Sequence, residues 1–247
     1  MLDVNIKGVE YKGKSILENI QFTPCEKSFT AVIGRNGSGK STLISAISSL
    51  IKYEGSVTIN GRDTRDFDRR ELSLRVSAML QNLKRPHMTV SELVALGRSP
   101  YMRIGQKLSK NDTDIIHSAI NKAQISGITN SYVDKISGGE LRRAYFAMLL
   151  AQNTDIVLLD EATAFMDADY ERKFCELAKE LSKEKTVISV MHNLDFAVYY
   201  ADNILLLDKG RQLFFGSRDD IMKTNLIEKT FSVNRYTAGK ITFFSAN

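Results

Sequence analysis

The stretch Gly34-Arg35-Asn36-Gly37-Ser38-Gly39-Lys40-Ser41 limits the folds open to this chain more than any other. It fits the pattern G-x-x-x-x-G-K-[ST], directly follows the apolar run Phe29 to Ile33, and opens a helical stretch expected from Lys40 to about Leu50. Strand, glycine-rich loop and helix in that order make one unit: the backbone wraps closely around phosphates, and its N–H groups and the positive end of the helix face the anion. On this pattern Gly34, Arg35, Asn36, Gly37, Ser38 and Gly39 form the cradle. Lys40 reaches the β- and γ-phosphates, and Ser41 places its hydroxyl on Mg²⁺ with Thr42 beside it. Alone, the motif specifies a nucleoside triphosphate and nothing finer.

A second apolar run, Ile156-Val157-Leu158-Leu159, ends in the carboxylates Asp160 and Glu161. A buried parallel strand delivers side chains at its C-terminal end, where open α/β sheets bind ligands. Asp160 is expected to hold Mg²⁺, directly or through water, and Glu161 to orient the attacking water or accept its proton. Ser137-Gly138-Gly139-Glu140 precedes a helical stretch, so that a serine hydroxyl and two glycine N–H groups stand at a helix start. This is either an ordinary cap or a second anion site. The chain has one phosphate loop, so a second such site would be incidental or would serve another chain's nucleotide.

The organisation along the chain fits an α/β fold. Short β-runs (Leu2 to Ile6, Ile16 to Phe22, Phe29 to Ile33) fill the first part, and Val57-Thr58-Ile59 followed by Asn60-Gly61 reads as a hairpin turn. Helical spacing then takes over in Thr89 to Leu96, Asn111 to Ile125 and Gly139 to Gln152, with Thr89, Ser109 or Asn111, and Ser137 available as N-caps. The last third alternates: strand Asp155 to Leu159, helix Asp169 to Lys183, strand Thr186 to Met191, helix Leu194 to Ala201, strand Asn203 to Leu207. Such alternation implies a parallel sheet with crossover helices. At 247 residues there is room for one such domain with an insertion and not for two catalytic domains.

Composition narrows the classes further. The net charge of +5 would suit an anionic partner, but the basic residues are scattered without a run of five, which speaks for a solvated surface and against nucleic acid. Apolar stretches such as Ala144 to Ala151 are far shorter than the roughly 20 residues of a spanning helix. The N-terminal residues carry no secretory pattern, so a cytoplasmic protein is expected. Cys25 and Cys175 read as reduced structural thiols. Asn121-Lys122-Ala123-Gln124 superficially suggests a guanine-reading Asn-Lys-x-Asp but lacks the aspartate.

In this order, these motifs resemble the ATP-binding-cassette (ABC) ATPases over essentially the whole chain. Ile136-Ser137-Gly138-Gly139-Glu140 looks like the family signature, usually Leu-Ser-Gly-Gly-Gln. Gln81 matches the glutamine that contacts Mg²⁺ and moves with the membrane partner, His192 the histidine on the γ-phosphate, Tyr11 the aromatic residue on adenine, and Asp167 the aspartate of the loop after the catalytic glutamate. Ala162, Phe165-Met166 and Glu140 depart from the usual pattern. The resemblance implies a phosphate-loop ATPase core with a mainly parallel sheet, an N-terminal antiparallel β-subdomain and an inserted α-helical subdomain. Residues 1–83 and 154–247 would form the core, and 84–153 the helical part that carries the signature.

Two such chains would dimerise head to tail, the signature of one closing over the ATP of the other. The second chain would be an identical copy or a paralogous ATPase subunit. Transmembrane permease subunits would hold the pair at the cytoplasmic face of the membrane, and a substrate-binding protein would act with it indirectly. Thr89 to Tyr101, Gly216, the helix near Asp219 to Met222 and Leu226 to Val233 are similar to importer ATPases for iron-siderophore, haem and cobalamin. An ABC ATPase in a regulatory or assembly role is the alternative.

Overall fold

The computed structural model describes residues 1–103, 105–163, 168–238 and 241–246. In chain order the strands are β1 (Leu2–Tyr11), β2 (Lys14–Phe22), β3 (Phe29–Gly34), β4 (Glu54–Ile59), β5 (Arg62–Asp63), β6 (Val76–Met79), β7 (Ile156–Asp160), β8 (Thr186–Val190), β9 (Asn203–Asp208), β10 (Arg211–Ser217), β11 (Val233–Ala238) and β12 (Ile241–Ala246). The helices are α1 (Lys40–Ile47), α2 (Arg69–Ser73), α3 (Val90–Ala95), α4 (Lys110–Lys122), α5 (Gly138–Gln152), α6 (Ala168–Leu181), α7 (Leu194–Tyr200), α8 (Arg218–Met222) and α9 (Leu226–Phe231). A 3₁₀ segment, Leu96–Tyr101, follows α3.

Among the described residues, ten strands form one sheet in the order β5-β4-β1-β2-β10-β9-β3-β8-β7-β6. The run β9-β3-β8-β7-β6 is parallel, as the alternating last third of the sequence implies. The first strands pair antiparallel and extend the same sheet. The join is β10, antiparallel to β9 and touching β2 in parallel register only at Arg211 and Glu18. Every residue of β3, β7 and β8 is buried, which is why these strands read as apolar runs without alternation. Asn60 and Gly61, at φ 52° and 82°, make the β4–β5 turn that their types favour.

Helix α1 stops at Ile47, short of the expected Leu50. Ser49 takes a left-handed φ of 55°, and the Leu50 N–H returns to the Ser45 carbonyl at 2.9 Å, closing the last turn. Three capping boxes start α3, α4 and α5 at Thr89, Ser109 and Ser137. The Asn225 to Ser232 region and the antiparallel pair β11–β12 end the fold, with the Phe244 N–H donating to Asp195 Oδ1 of α7 at 2.8 Å. Cys25 is exposed and Cys175 buried, both free. No helix among the described residues is long and apolar enough to cross a membrane.

Three apolar clusters hold the molecule. One lies between the sheet and α1, a second between the sheet and α5, α6 and α7, and a third within residues 90–151. Helix α5 belongs to two of them: Phe146 and Leu149 face the sheet side, while Leu141, Ala144, Ala147 and Ala151 face α3 and α4. Inside the third cluster lies a buried ion pair, Arg98 Nε to Asp112 Oδ1 at 2.9 Å. Arg98 also donates to the Ala151 carbonyl at the end of α5, at 2.8 Å. The Ser109 hydroxyl, followed by Arg98, holds the Asp112 carboxyl at about 2, against an ordinary value of 3.8.

An acid whose folded pKa is depressed contributes stability above its unfolded value and loses it as pH falls toward the folded one. Asp112→Asn is therefore expected to melt lower than the wild type at pH 7, with the gap closing between about pH 4 and pH 2. Arg98→Met, which strands a buried carboxylate, should lower stability by about 3 kcal/mol at neutral pH in denaturant titration.

Candidate active site

The parallel register brings the two halves of the site together. Val190 of β8 pairs with Val32 of β3 on one side and with Asp160 of β7 on the other, so the phosphate loop and the carboxylate pair leave the same edge of the sheet. Gln81 follows β6 and His192 follows β8 at that edge. The cleft there measures about 500 Å³ and is lined by Ile16, Asn36, Gly37, the turn from Gly39 to Thr42, Gln81, Glu161 and His192. Its size suits a small-molecule ligand.

Gly39 caps α1 at φ 95°, a left-handed conformation that glycine adopts without strain and that any Cβ would force against Leu17 Cδ2 at 2.4 Å. The Lys40 side chain folds back into the loop, 5% exposed, and donates to the carbonyls of Gly34 at 2.8 Å and Arg35 at 3.1 Å. Burial lowers the pKa of this ammonium, and the nearby Glu161 and Asp160 carboxylates offset part of the effect. Ser38 Oγ is buried in the loop with no hydrogen-bond partner in the chain.

Asp160, 2% exposed, accepts a hydrogen bond from Ser41 Oγ at 3.0 Å. Burial raises its pKa and Glu161 adds to the rise, opposed by the Ser41 hydroxyl, the Gln81 backbone and Lys40. Glu161 uses both carboxylate oxygens: Oε2 accepts from Gln81 Nε2 at 2.7 Å, and Oε1 lies 2.6 Å from His192 Nε2. An ionised carboxylate only accepts, so Nε2 of His192 carries the proton in this contact. Glu161 itself sits at φ 51°, a left-handed position that costs a side-chain-bearing residue about 1 kcal/mol. Its carbonyl accepts a hydrogen bond from Arg142 Nη1 of α5 at 2.9 Å.

Of the other sequence-derived candidates, Tyr11 and Ser137 to Glu140 do not line this cleft. Tyr11, 65% exposed, ends β1 at the hairpin with β2, and the Lys12 ammonium lies 5.4 Å from its ring centroid. Ser137 and Gly138 are exposed, and Gly139 and Glu140 half-buried, at the start of α5. Ser137 is already occupied, because the Glu140 carboxylate accepts from its N–H at 2.8 Å and from its hydroxyl at 2.7 Å. These bonds, the hydroxyl first, hold the Glu140 carboxyl below its ordinary value. The S-x-x-E spacing is the capping-box pattern and was available in the sequence. Asp167 lies outside the described residues. Arg142 and Ile16 had no sequence motif to mark them.

The hydroxyl of Ser41, the carboxylate of Asp160 and the amide of Gln81 supply oxygen ligands of the kind Mg²⁺ takes alongside phosphate. The orphaned Ser38 hydroxyl and the buried Lys40 ammonium give a polyanion donors that the chain leaves unsatisfied or under-neutralised. The donor set fits a metal-bound triphosphate.

Residues 17–164 match the family model described as "ABC transporter", which is more than half of the chain. The chain belongs to the ABC transporter family. It is an ATPase of that family. Its relatives include a petrobactin import ATP-binding protein of Bacillus subtilis (strain 168), 34% identical over 237 residues that cover 94% of this chain and 93% of the relative. Another is a ferric enterobactin transport ATP-binding protein of Escherichia coli (strain K12), 34% identical over 227 residues, covering 90% and 84%. Among solved structures, a dimeric bacterial ABC transporter cassette superposes with a TM-score of 0.78 at 27% identity, covering 88% of this chain and 99% of that one.

Burial disfavours the charged Lys40 in the free protein. Lys40→Met is therefore expected to melt at or above the wild-type temperature without nucleotide, yet to lose the upward shift that Mg²⁺-ATP gives the wild type. Differential scanning fluorimetry with and without ATP reads both.

Proposed function

We propose that this ABC ATPase powers an importer of an iron chelate, haem or cobalamin, by closing head to tail with a second ATPase subunit around ATP. The observation that carries the catalytic part is the arrangement around Glu161, whose two carboxylate oxygens meet Gln81 and His192 beside the Ser41–Asp160 pair. Lys40 and the loop N–H groups bind the phosphates, and Tyr11 stacks on the adenine. Bound Mg²⁺ supplies Lewis-acid neutralisation of the phosphate oxygens, held through Ser41, Asp160 and Gln81. Glu161 takes a proton from the attacking water as the water oxygen bonds to the γ-phosphorus and the bond to the β-phosphate oxygen breaks. His192 steadies the γ-phosphate and the Glu161 carboxylate. Catalysis is then mostly positioning and electrostatics.

Such a dimer would give a ligand to the exposed Ser137 and Gly138 and the half-buried Gly139, which do not line the cleft of their own chain. In a two-fold pair each signature would meet the partner's triphosphate, with Glu140 and Asp167 at the same junction. Closure would pull on permease subunits through Gln81 and the helical segment 84–153, placing the chain at the cytoplasmic face of the membrane. The relatives' names, petrobactin import and ferric enterobactin transport, support an iron chelate as the cargo.

Glu161→Gln should retain ATP binding, accumulate an ATP-dependent dimer in size-exclusion chromatography and lose at least about 100-fold in turnover. Undiminished turnover would remove Glu161 from this role. For transport, loss of the chain from its host should abolish ferric-siderophore uptake. Wild-type uptake of ferric siderophore, haem and cobalamin without it would overturn the importer assignment.

A further inference from the structure

We propose that Arg142 is a positioning residue that holds Glu161 in its reactive geometry and couples it to the signature helix. The inference rests on the role given to Glu161 above. Arg142 is the fifth residue of the helix that Ser137 caps and Gly138 and Gly139 open, and it is 5% exposed. One N–H donates to the Glu161 carbonyl at 2.9 Å, across 19 positions of sequence. That carbonyl belongs to the peptide following a residue at φ 51°, a conformation that needs outside restraint to persist in a side-chain-bearing residue.

The geometry makes Arg142 a link and not a ligand. It does not line the nucleotide cleft, so removing it subtracts no phosphate contact. Its charge nevertheless lies close enough to Glu161 and Asp160 that both favour the protonated guanidinium, against the opposing and larger effect of burial. Leu141 and Ala144, on either side of it in α5, are packed into the helical cluster, so the side chain moves with that helix. A displacement of the helix start is carried along about one turn of rigid helix to the carbonyl of Glu161. Since Gln81 and His192 fix the two carboxylate oxygens, a shift of the main chain at Glu161 changes those contacts directly. Misplacement of a reacting group by about 1 Å can cost about 100-fold in rate.

The test uses the full chain with Mg²⁺-ATP and four variants: Arg142→Met, Arg142→Lys, Glu161→Gln, and Arg142→Met with Glu161→Gln. Arg142→Met should lower kcat by about 10- to 100-fold while KM for ATP changes less than about 3-fold. Arg142→Lys, which keeps a charged donor, should recover at least about 5-fold of that loss. In the Glu161→Gln background the Met substitution should change residual turnover by less than about 3-fold, because a residue acting only through Glu161 has nothing left to position. Wild-type kcat in Arg142→Met overturns the proposal, as does an equal further loss in the double variant or a loss confined to KM. If Arg142→Met does not fold, Arg142→Lys decides alone: a loss of about 2- to 20-fold in kcat at nearly constant KM is expected, and wild-type kcat in Arg142→Lys overturns the proposal. A Glu161→Gln protein with wild-type turnover would instead sink the assignment of Glu161, a result distinct from any failure confined to Arg142.

Discussion

An ammonium group buried among carbonyl oxygens is the constraint around which the rest of the site is arranged. Lys40 is 5% exposed and its contacts are main-chain carbonyls, while the carboxylates of Asp160 and Glu161 act on it from further away. Asp160 is buried as deeply, and burial raises its pKa where it lowers that of Lys40, so both are pushed toward their neutral forms. Two ionisable groups each disfavoured in their charged state are expensive to keep in a fold. They persist because β3, β8 and β7 are fully buried neighbours whose register leaves both groups at one edge, and the loops cannot turn outward without unpairing those strands. A polyanion with its cation relieves both burdens at once, which suits the site to that ligand.

Helix α5 carries the second constraint, since it is shared between two cores. Its sheet-facing side packs Phe146 against Phe174 of α6, with ring centroids 4.5 Å apart, while its other side completes the cluster of α3 and α4. At its C-terminal end Gln152 donates to the carbonyl of Ser73 at 2.6 Å, and the Tyr145 hydroxyl donates to the carbonyl of Lys84 at 2.9 Å. Close-packed interiors transmit displacement instead of absorbing it. A helix tied at one end to β6 and its approach, and along its length to both clusters, is therefore held as one rigid piece with its start at Ser137. Its start is held in shape by the Ser137–Glu140 capping box, worth about 1 kcal/mol in such exposed positions. That is enough to order the turn and small enough to yield to a stronger acceptor.

Much of this was legible in the sequence because the chemistry is contiguous there. The phosphate loop, the carboxylate pair at the end of an apolar strand, the Asn60-Gly61 turn and the alternation of the last third are each encoded by neighbouring residues. The parallel core follows from those signals; the antiparallel first strands rest on the resemblance to the ABC ATPases, and their union into one sheet through β10 on neither. The run Arg211 to Ser217 pairs at a register shift between Gln212 and Phe214, so the simple period-two pattern that betrays a strand is broken. The strands β11 and β12 follow directly on a helix and, among the described residues, pair only with each other, with no sequence motif to mark them.

What was not legible is what depends on distance in sequence. Nothing local marks Glu161 as left-handed, since the residue is not glycine or asparagine. Nothing marks Arg142 either. Two positions beyond Glu140 in a helix, a basic residue normally faces solvent, and here it is buried because α5 is sandwiched between two cores and that face meets the loop after β7. A motif can name the group that reacts, because the reaction requires a residue type. The group that holds it in place can be any donor the packing brings within 3 Å of the right carbonyl, so only the folded geometry identifies it.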